Sequence, residues 1–159
     1  MYFEDLDAAN QHEVRRLILT GLGDHWGSID ESLNPDLDDM LSIYALGRTV
    51  VVRSEQGSVV GTGTLFPWTD EKGSTDAAMI VRMSVARDLQ RSGVGRRIVE
   101  ELMATARSWG KSRVVLETTS GWTEVINFYL ACGFEITHEA DSEYGNDTWF
   151  ERATGLPDG

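Results

Sequence analysis

The stretch Gln90-Arg91-Ser92-Gly93-Val94-Gly95-Arg96-Arg97 decides how the rest of this chain is interpreted. It lies between an apolar run that ends at Val85 and a long amphipathic stretch, Val94 to Trp109. Glycine lets the backbone turn tightly and approach a ligand closely, because it has no Cβ. The helix expected after the glycines begins with unpaired N–H groups and about half a positive charge. A loop that opens onto a helix in this way predicts a phosphate-binding site.

Size and composition predict a single domain over residues 1–159. A chain of 159 residues can bury a core, and a hydrophobic content of 41% argues against disorder. No stretch approaches the roughly 20 apolar residues of a membrane span. The acidic start, Met1 to Asp5, lacks the basic segment of a signal peptide. One cysteine, Cys132, excludes an internal disulfide, so we expect a cytoplasmic protein.

The net charge of −12 argues against nucleic acid and anionic membranes as partners, because both would be repelled. The same acidity suits either a salty cytoplasm or a cationic substrate, and composition does not separate these. His12 and His138 have no metal-ligand spacing with each other or with acids, so no metal site is expected.

Hydrophobic periodicity predicts an α/β domain with a mixed, mostly antiparallel central sheet flanked by helices. Helices are predicted over 8–22, 35–46, 94–109 and 123–131, and strands over 49–53, 58–66, 77–85, 113–118, 134–138 and 148–152. A loop is predicted through Gly23–Gly27 and a hairpin turn at Gln56-Gly57. The core face of the central helix is predicted to be Val94, Ile98, Val99, Leu102, Met103, Ala106 and Trp109.

Two familiar phosphate loops do not match. A Walker loop needs a lysine followed by serine or threonine after its second glycine, and none is present. A dinucleotide fingerprint needs a third glycine where Ile98 stands, and Gly93 lies eight positions after Val85, too far for its turn.

A third interpretation of this loop rests on its resemblance to a known protein family. The pattern Gln90-x-x-Gly93-x-Gly95 resembles the signature of the GNAT superfamily of N-acetyltransferases. Arg82-Met83-Ser84-Val85 resembles that family's preceding strand, and Phe128-Tyr129-x-x-x-Gly133-Phe134 resembles its second motif. The similarity in order and spacing runs from Val50 to Phe134.

The resemblance implies a GNAT-like fold that binds acetyl-coenzyme A with a core of about 77–134, and an acceptor-side helical region of about 8–46. Backbone N–H groups of Arg91 to Arg96 would hold the pyrophosphate, and Met83 and Val85, beside a strand bulge, would pair with the pantetheine arm. Arg96 and Arg97 are either phosphate partners or solvated arginines of the first helical turn. The full set of expected coenzyme-binding residues is Met83, Ser84, Val85, Gln90, Arg91, Ser92, Gly93, Val94, Gly95, Arg96, Trp122 and Tyr129.

The resemblance also implies catalytic roles. The Val85 N–H would stabilise the oxyanion. Tyr129 would protonate the departing thiolate; otherwise it is an amphipathic core tyrosine. Glu117 would be the base, since Met79 stands where many relatives hold a glutamate; otherwise Glu117 forms an ion pair with Arg82.

Acceptor binding is expected in the segment between the first two helices. Asp24, Asp30 and Glu31 could attract a cationic amine, and His25 could move its proton. Trp26 is an aromatic binding candidate in the same segment, which is alternatively a solvated acidic loop that caps a helix. Trp122 stands where many relatives hold an asparagine, so it either lies along the pantetheine arm, walls the acceptor pocket or simply packs.

We therefore expect an N-acetyltransferase that moves acetyl from acetyl-coenzyme A to the primary amine of a small molecule or peptide, by direct attack in a ternary complex. A non-catalytic acyl-coenzyme A sensor or interaction module is the alternative, favoured by Met79 and Trp122. A polycation-modifying enzyme is a subclass of the first, and a homodimer is compatible with the resemblance.

Overall fold

A computed structural model describes residues 1–26, 34–143 and 145–156 of the chain. The strands within these ranges are β1 (Tyr2–Asp5), β2 (Arg48–Arg53), β3 (Val59–Trp68), β4 (Ala77–Val85), β5 (Arg113–Thr119), β6 (Glu135–Ser142) and β7 (Gly145–Ala153). The helices are α1 (Gln11–Trp26), α2 (Met40–Ile43), α3 (Val94–Ser108) and α4 (Thr123–Ala131), with 3₁₀ turns at Pro35–Asp38 and Arg87–Leu89. No helix in the described ranges is both long and apolar enough to cross a bilayer.

The chain divides into two compact units. The first unit contains Met1–Phe66 and Val81–Leu102, and the second contains Pro67–Ile80 and Met103–Gly159. Strands β3 and β4 and helix α3 contribute residues to both, because the boundaries fall within these elements.

In the first unit, β2 pairs antiparallel with both β1 and β3. Helices α1 and α2 pack on one face of these strands, where Val14, Ile18 and Met40 bury their side chains with Val51. Alternation along a strand sends neighbouring side chains to opposite faces, so Val50 and Val52 lie on the other face.

Helix α3 lies close to that other face because β3 carries glycine there. A Cβ added to Gly63 would lie 2.5 Å from the sulfur of Met83 and 2.8 Å from a methyl carbon of Ile98. Only glycine therefore permits this close packing of helix on strand.

In the second unit, β4 and β5 are parallel over Ala77–Met79 and Arg113–Val115. Strand β7 pairs antiparallel with β5 and with β6. Helix α4 covers one face, with the Tyr129 ring centroid 5.8 Å from those of Phe134 and Phe150.

The predicted α/β class with a mixed, mostly antiparallel sheet is confirmed, as are the Gln56-Gly57 hairpin and helix 123–131. The prediction that the first helix ends at Leu22, with a loop from Gly23, was wrong because α1 continues to Trp26. Gly21 reflects packing rather than a turn, because a Cβ there would lie 2.9 Å from the Ser84 hydroxyl oxygen.

Other elements also differ from prediction. The helix expected over 35–46 is a 3₁₀ turn followed by the four residues of α2. Strand β1 was not predicted, because four residues with two acids give little alternation. Trp109 follows the last residue of α3 and is half-buried, unlike the rest of the predicted core face.

Candidate functional site

The segment between β4 and α3 is held by its own hydrogen bonds. The Gln90 side-chain amide donates to the Val85 carbonyl at 3.2 Å, across the 3₁₀ turn Arg87–Leu89. The Ser92 hydroxyl donates to the Leu89 carbonyl, and the Ser92 N–H reaches the same oxygen at 3.2 Å. Gln90 therefore closes the loop through its side chain, which gives the motif glutamine a structural role.

Two loop residues adopt left-handed backbone conformations, with φ of 68° at Arg91 and 93° at Gly93. The conformation suits glycine, but a residue with a Cβ rarely adopts it without surrounding constraint. Left-handed residues alternating with ordinary ones turn successive N–H groups towards one side, which forms an anion-binding concavity.

The start of α3 supplies further donors to this concavity. Its first helical hydrogen bond runs from the Arg97 N–H to the Gly93 carbonyl at 3.1 Å. The N–H groups of Val94, Gly95 and Arg96 precede that bond and so have no acceptor within the helix. The Ser92 N–H differs from these three, because it donates to the Leu89 carbonyl within the loop.

The two arginines of the first turn differ. The Arg97 guanidinium lies 5.0 Å from the ring centre of Phe3, a cation–π contact. Both arginines line an open cavity of about 450 Å³ with Glu100 and Glu101, so its charge is mixed. Arg96 is exposed beside the loop and remains the better candidate for a phosphate partner.

Arg82 interrupts β4 with a φ of 55°, a strand irregularity of the kind expected of a bulge. Its guanidinium donates to both carboxylate oxygens of Asp36, at 2.8 and 2.6 Å, and the Tyr44 hydroxyl donates to the same carboxylate at 2.6 Å. The ion-pair partner of Arg82 is therefore Asp36 and not Glu117.

This network shifts the pKa values of Asp36 and Tyr44. Burial acts to raise the pKa of Asp36, but the bonds from Arg82 and Tyr44 outweigh it and keep that pKa below its ordinary value. Burial and the Asp36 carboxylate raise the pKa of Tyr44 to about 12.

The end of β4 carries three expected coenzyme-binding residues, all half-buried. Met83 lies towards α3, where its sulfur is close to Gly63, whereas Ser84 lies beside Gly21 of α1. The Val85 carbonyl accepts the hydrogen bond from the Gln90 side chain, and the Val85 N–H takes no part in that bond.

In the second unit, Glu117 lies opposite Trp149 in the β5–β7 register. Its side chain is largely exposed, yet partial desolvation of the carboxyl group, followed by the nearby Asp147 carboxylate, raises its pKa above the ordinary value. Among the described residues no arginine, lysine or histidine forms an ion pair with Glu117. A carboxylate with a raised pKa and no cation can accept a proton.

Tyr129 is only 6% exposed. Burial, with a smaller effect of Cys132, raises the pKa of Tyr129 well above its ordinary value, so its hydroxyl keeps the proton at neutral pH. Trp122 is half-buried, precedes α4, and accepts the helix's first bond from the Ile126 N–H at 3.0 Å.

The expected acceptor residues are only partly described. Asp24 is exposed in the last turn of α1. His25 and Trp26 belong to that helix, but their side chains lie outside the described residues, as do Asp30 and Glu31.

The described site residues therefore fall into two groups. The loop, Arg82 and Met83–Val85 belong to the first unit, and Glu117, Trp122 and Tyr129 to the second. Sequence reasoning missed the partnership of Arg82 with Asp36 and Tyr44, since nothing in the local pattern brings positions 36 and 82 together.

The model of the acetyltransferase (GNAT) family matches residues 12–134. The uncharacterized N-acetyltransferase YjgM of Escherichia coli (strain K12) is 30% identical over 103 residues, which are 64% of this chain and 60% of YjgM. The chain spans about half the length of three other curated relatives that it matches.

Solved structures share the whole fold. A GNAT-family acetyltransferase from Staphylococcus aureus Mu50 aligns with a TM-score of 0.82 and 17% identity, over 96% of this chain and 98% of that one. YncA from Salmonella typhimurium, solved with its cofactor acetyl-CoA, aligns with a TM-score of 0.76 and 18% identity, over 100% and 96%. At these identities the similarity establishes the fold, and the predicted GNAT-like architecture is confirmed.

Proposed function

This chain belongs to the acetyltransferase (GNAT) family, and from that premise we propose that it transfers an acetyl group from acetyl-coenzyme A to a primary amine. The observation that carries the proposal is the loop Gln90–Arg96, where left-handed residues precede helical N–H groups that have no acceptor within α3.

The residues of this loop fit a coenzyme pyrophosphate. A Cβ on Gly93 would meet no atom within 4 Å, so the space beside it is open to a ligand. The N–H groups of Val94, Gly95 and Arg96 would donate to the phosphate oxygens, with the positive end of the α3 dipole behind them. When bound, the coenzyme would supply an acetyl group activated as a thioester.

We assign one proton or charge to each catalytic group. Glu117, directly or through water, takes a proton from the ammonium of the acceptor, which makes its nitrogen lone pair available. The new N–C bond forms as the C–S bond breaks, and the Val85 N–H donates to the carbonyl oxygen while it carries negative charge. Tyr129 donates its hydroxyl proton to the departing sulfur and regains one from the acylated nitrogen, so that the products are a neutral amide and a thiol.

The raised pKa of Tyr129 supports this assignment in one respect and limits it in another. The hydroxyl is fully protonated when the reaction begins, as a general acid must be. The same raised pKa makes loss of that proton unfavourable. Tyr129 therefore first serves as a hydrogen-bond donor and transfers the proton only as charge accumulates on sulfur.

Release of free thiol from acetyl-coenzyme A across a panel of primary amines tests the activity. Tyr129→Phe should lower kcat at least tenfold while leaving the coenzyme Kd unchanged. Tyr2→Phe is the matched control, because Tyr2 is 50% exposed on β1 and is assigned no role. An unchanged kcat in Tyr129→Phe would remove Tyr129 from the mechanism.

The non-catalytic acyl-coenzyme A sensor remains the second candidate because Met79, where many relatives hold a glutamate, is buried and cannot act as a base. Coenzyme binding in a calorimeter, with no thiol release for any amine, would favour the sensor over the enzyme.

A further inference from the structure

A row of side chains crosses three strands on one face of the second unit. Glu117 on β5 lies opposite Trp149 on β7, which lies opposite His138 on β6. Asp147 precedes Trp149 by two residues and so lies on the same face, diagonal to Glu117. We call Trp68, Glu117, His138, Asp147 and Trp149 the aromatic–carboxylate face.

Three rings of this face are arranged as a surface. The His138 and Trp149 ring centres lie 5.6 Å apart with planes at 8°, and the Trp68 and Trp149 centres lie 5.9 Å apart at 37°. His138 is exposed and both tryptophans are half-buried. Partly exposed indole rings offer area for an apolar body and a negative face for a cation.

Two of the carboxylates on this face have no cationic partner among the residues that the structure describes. Glu151, next along β7 on the same face, is paired with Arg113 at 3.0 Å. Glu117 and Asp147 form no such ion pair in the described ranges 34–143 and 145–156. The two negative charges repel each other, and this repulsion is part of the reason why the pKa of Glu117 is raised. A ligand cation between the two would remove that repulsion.

We propose that the aromatic–carboxylate face binds the acceptor as a primary ammonium with an aromatic or apolar body. The ammonium pairs with Asp147 and Glu117, and the body lies on Trp149 and Trp68. This inference rests on the proposed function, since it places the acceptor nitrogen beside the proposed base. A linear polyamine would satisfy the carboxylates but leave the indole rings uncovered.

Equilibrium binding tests the proposal without requiring turnover. We would titrate phenethylammonium, butylammonium and 2-phenylethanol into the protein in a calorimeter. Phenethylammonium should bind about tenfold more tightly than either of the others, because only it has both charge and ring. Equal affinities of phenethylammonium and butylammonium would overturn the role of the rings, and equal affinities of phenethylammonium and 2-phenylethanol that of the carboxylates.

Variants assign the binding to residues. Trp149→Ala and Asp147→Asn should each weaken phenethylammonium binding about tenfold, and Trp149→Phe should restore most of the loss. Ile136→Ala is the matched control, because Ile136 is 50% exposed on β6 and pairs with the buried Phe150 on the opposite face. Unchanged binding in both Trp149→Ala and Asp147→Asn would contradict the proposal.

Turnover distinguishes failure of this inference from failure of the proposed function. With an active enzyme, Trp149→Ala should raise KM for phenethylamine more than for butylamine, and Trp149→Phe should return KM towards the parent value. Thiol release that favours spermidine, or is indifferent to the ring, would overturn the inference but keep the acetyltransferase. Ring-dependent binding with no thiol release for any amine would keep the binding face but overturn the enzyme.

Discussion

The two units contribute different kinds of chemistry. The first unit offers main-chain donors at the start of α3. The second offers titratable and aromatic side chains, with Glu117, Tyr129 and Trp149 on strands and a helix. The main-chain site depends on backbone conformation, whereas the side-chain site depends on burial and charge. Substitutions should therefore separate coenzyme binding from proton transfer.

Glu117→Gln is expected to have the largest effect. The amide cannot accept the proton of the acceptor, so kcat should fall about 10²- to 10⁴-fold. The parent rate should rise with pH through the raised pKa of Glu117, as the carboxylate becomes the basic form, and this limb should be absent in the variant. Steady-state rates between pH 4 and 9 would measure both.

Coenzyme affinity provides the control for that comparison. Glu117 is not among the residues expected to bind the coenzyme, so Glu117→Gln should leave the coenzyme Kd unchanged. A variant that keeps kcat within threefold of the parent would exclude Glu117 as the base and transfer that role to water.

Asp36→Asn tests whether the first unit depends on side chains for support. The half-buried Arg82 guanidinium would lose a charged partner, so the free energy of unfolding should fall by about 1.5–3 kcal/mol. The folded-state pKa of Asp36 is below 3.8, so its contribution is complete above about pH 4 and is lost as pH falls through the lowered pKa. Urea unfolding at pH 7 and pH 3 should show a smaller difference between parent and variant at pH 3. A constant difference would contradict the linkage.

Gly93→Ala acts on the backbone alone. No atom lies within 4 Å of the added Cβ, so its cost comes from the φ of 93°, about 1–2 kcal/mol. If the loop relaxes to avoid that cost, the coenzyme Kd should rise about 5- to 30-fold with little change in the Glu117 pH limb.

Gly57→Ala is the control for strain itself. Gly57 has a φ of 88° and equal space, but it lies in the β2–β3 hairpin. Both variants should lose similar stability, and only Gly93→Ala should lose coenzyme affinity. Equal coenzyme Kd values in the two variants would refute the loop as the pyrophosphate site.

The same difference explains what could be predicted from the sequence. A main-chain site is encoded locally, so Gln90, Gly93 and the start of α3 could be identified from one short pattern. The strands β4 and β5 likewise showed clear apolar runs. The continuation of α1 to Trp26 could not be predicted, because Gly21 serves close packing against Ser84, which is distant in the sequence.

The aromatic–carboxylate face was beyond prediction for a related reason. Its members come from four strands, and β6 shifts register between Ile136 and His138. Alternation in the sequence therefore does not reveal that His138 lies beside Trp149. The exposed histidine and the tryptophan become one surface only when the register is known.

Asp147→Asn is expected to have the smallest effect on turnover. Desolvation is the main cause of the raised Glu117 pKa, and Asp147 is the lesser one, so removing its charge lowers that pKa only partly towards 4.5. The acid limb of kcat should move to lower pH without reaching that of an ordinary glutamate. Glu139→Gln is the matched control, because Glu139 pairs with Thr148 and so lies on the opposite face from Trp149. A limb that stays fixed in Asp147→Asn would separate Asp147 from the base, and one that moves to higher pH would reverse the assumed sign of their interaction.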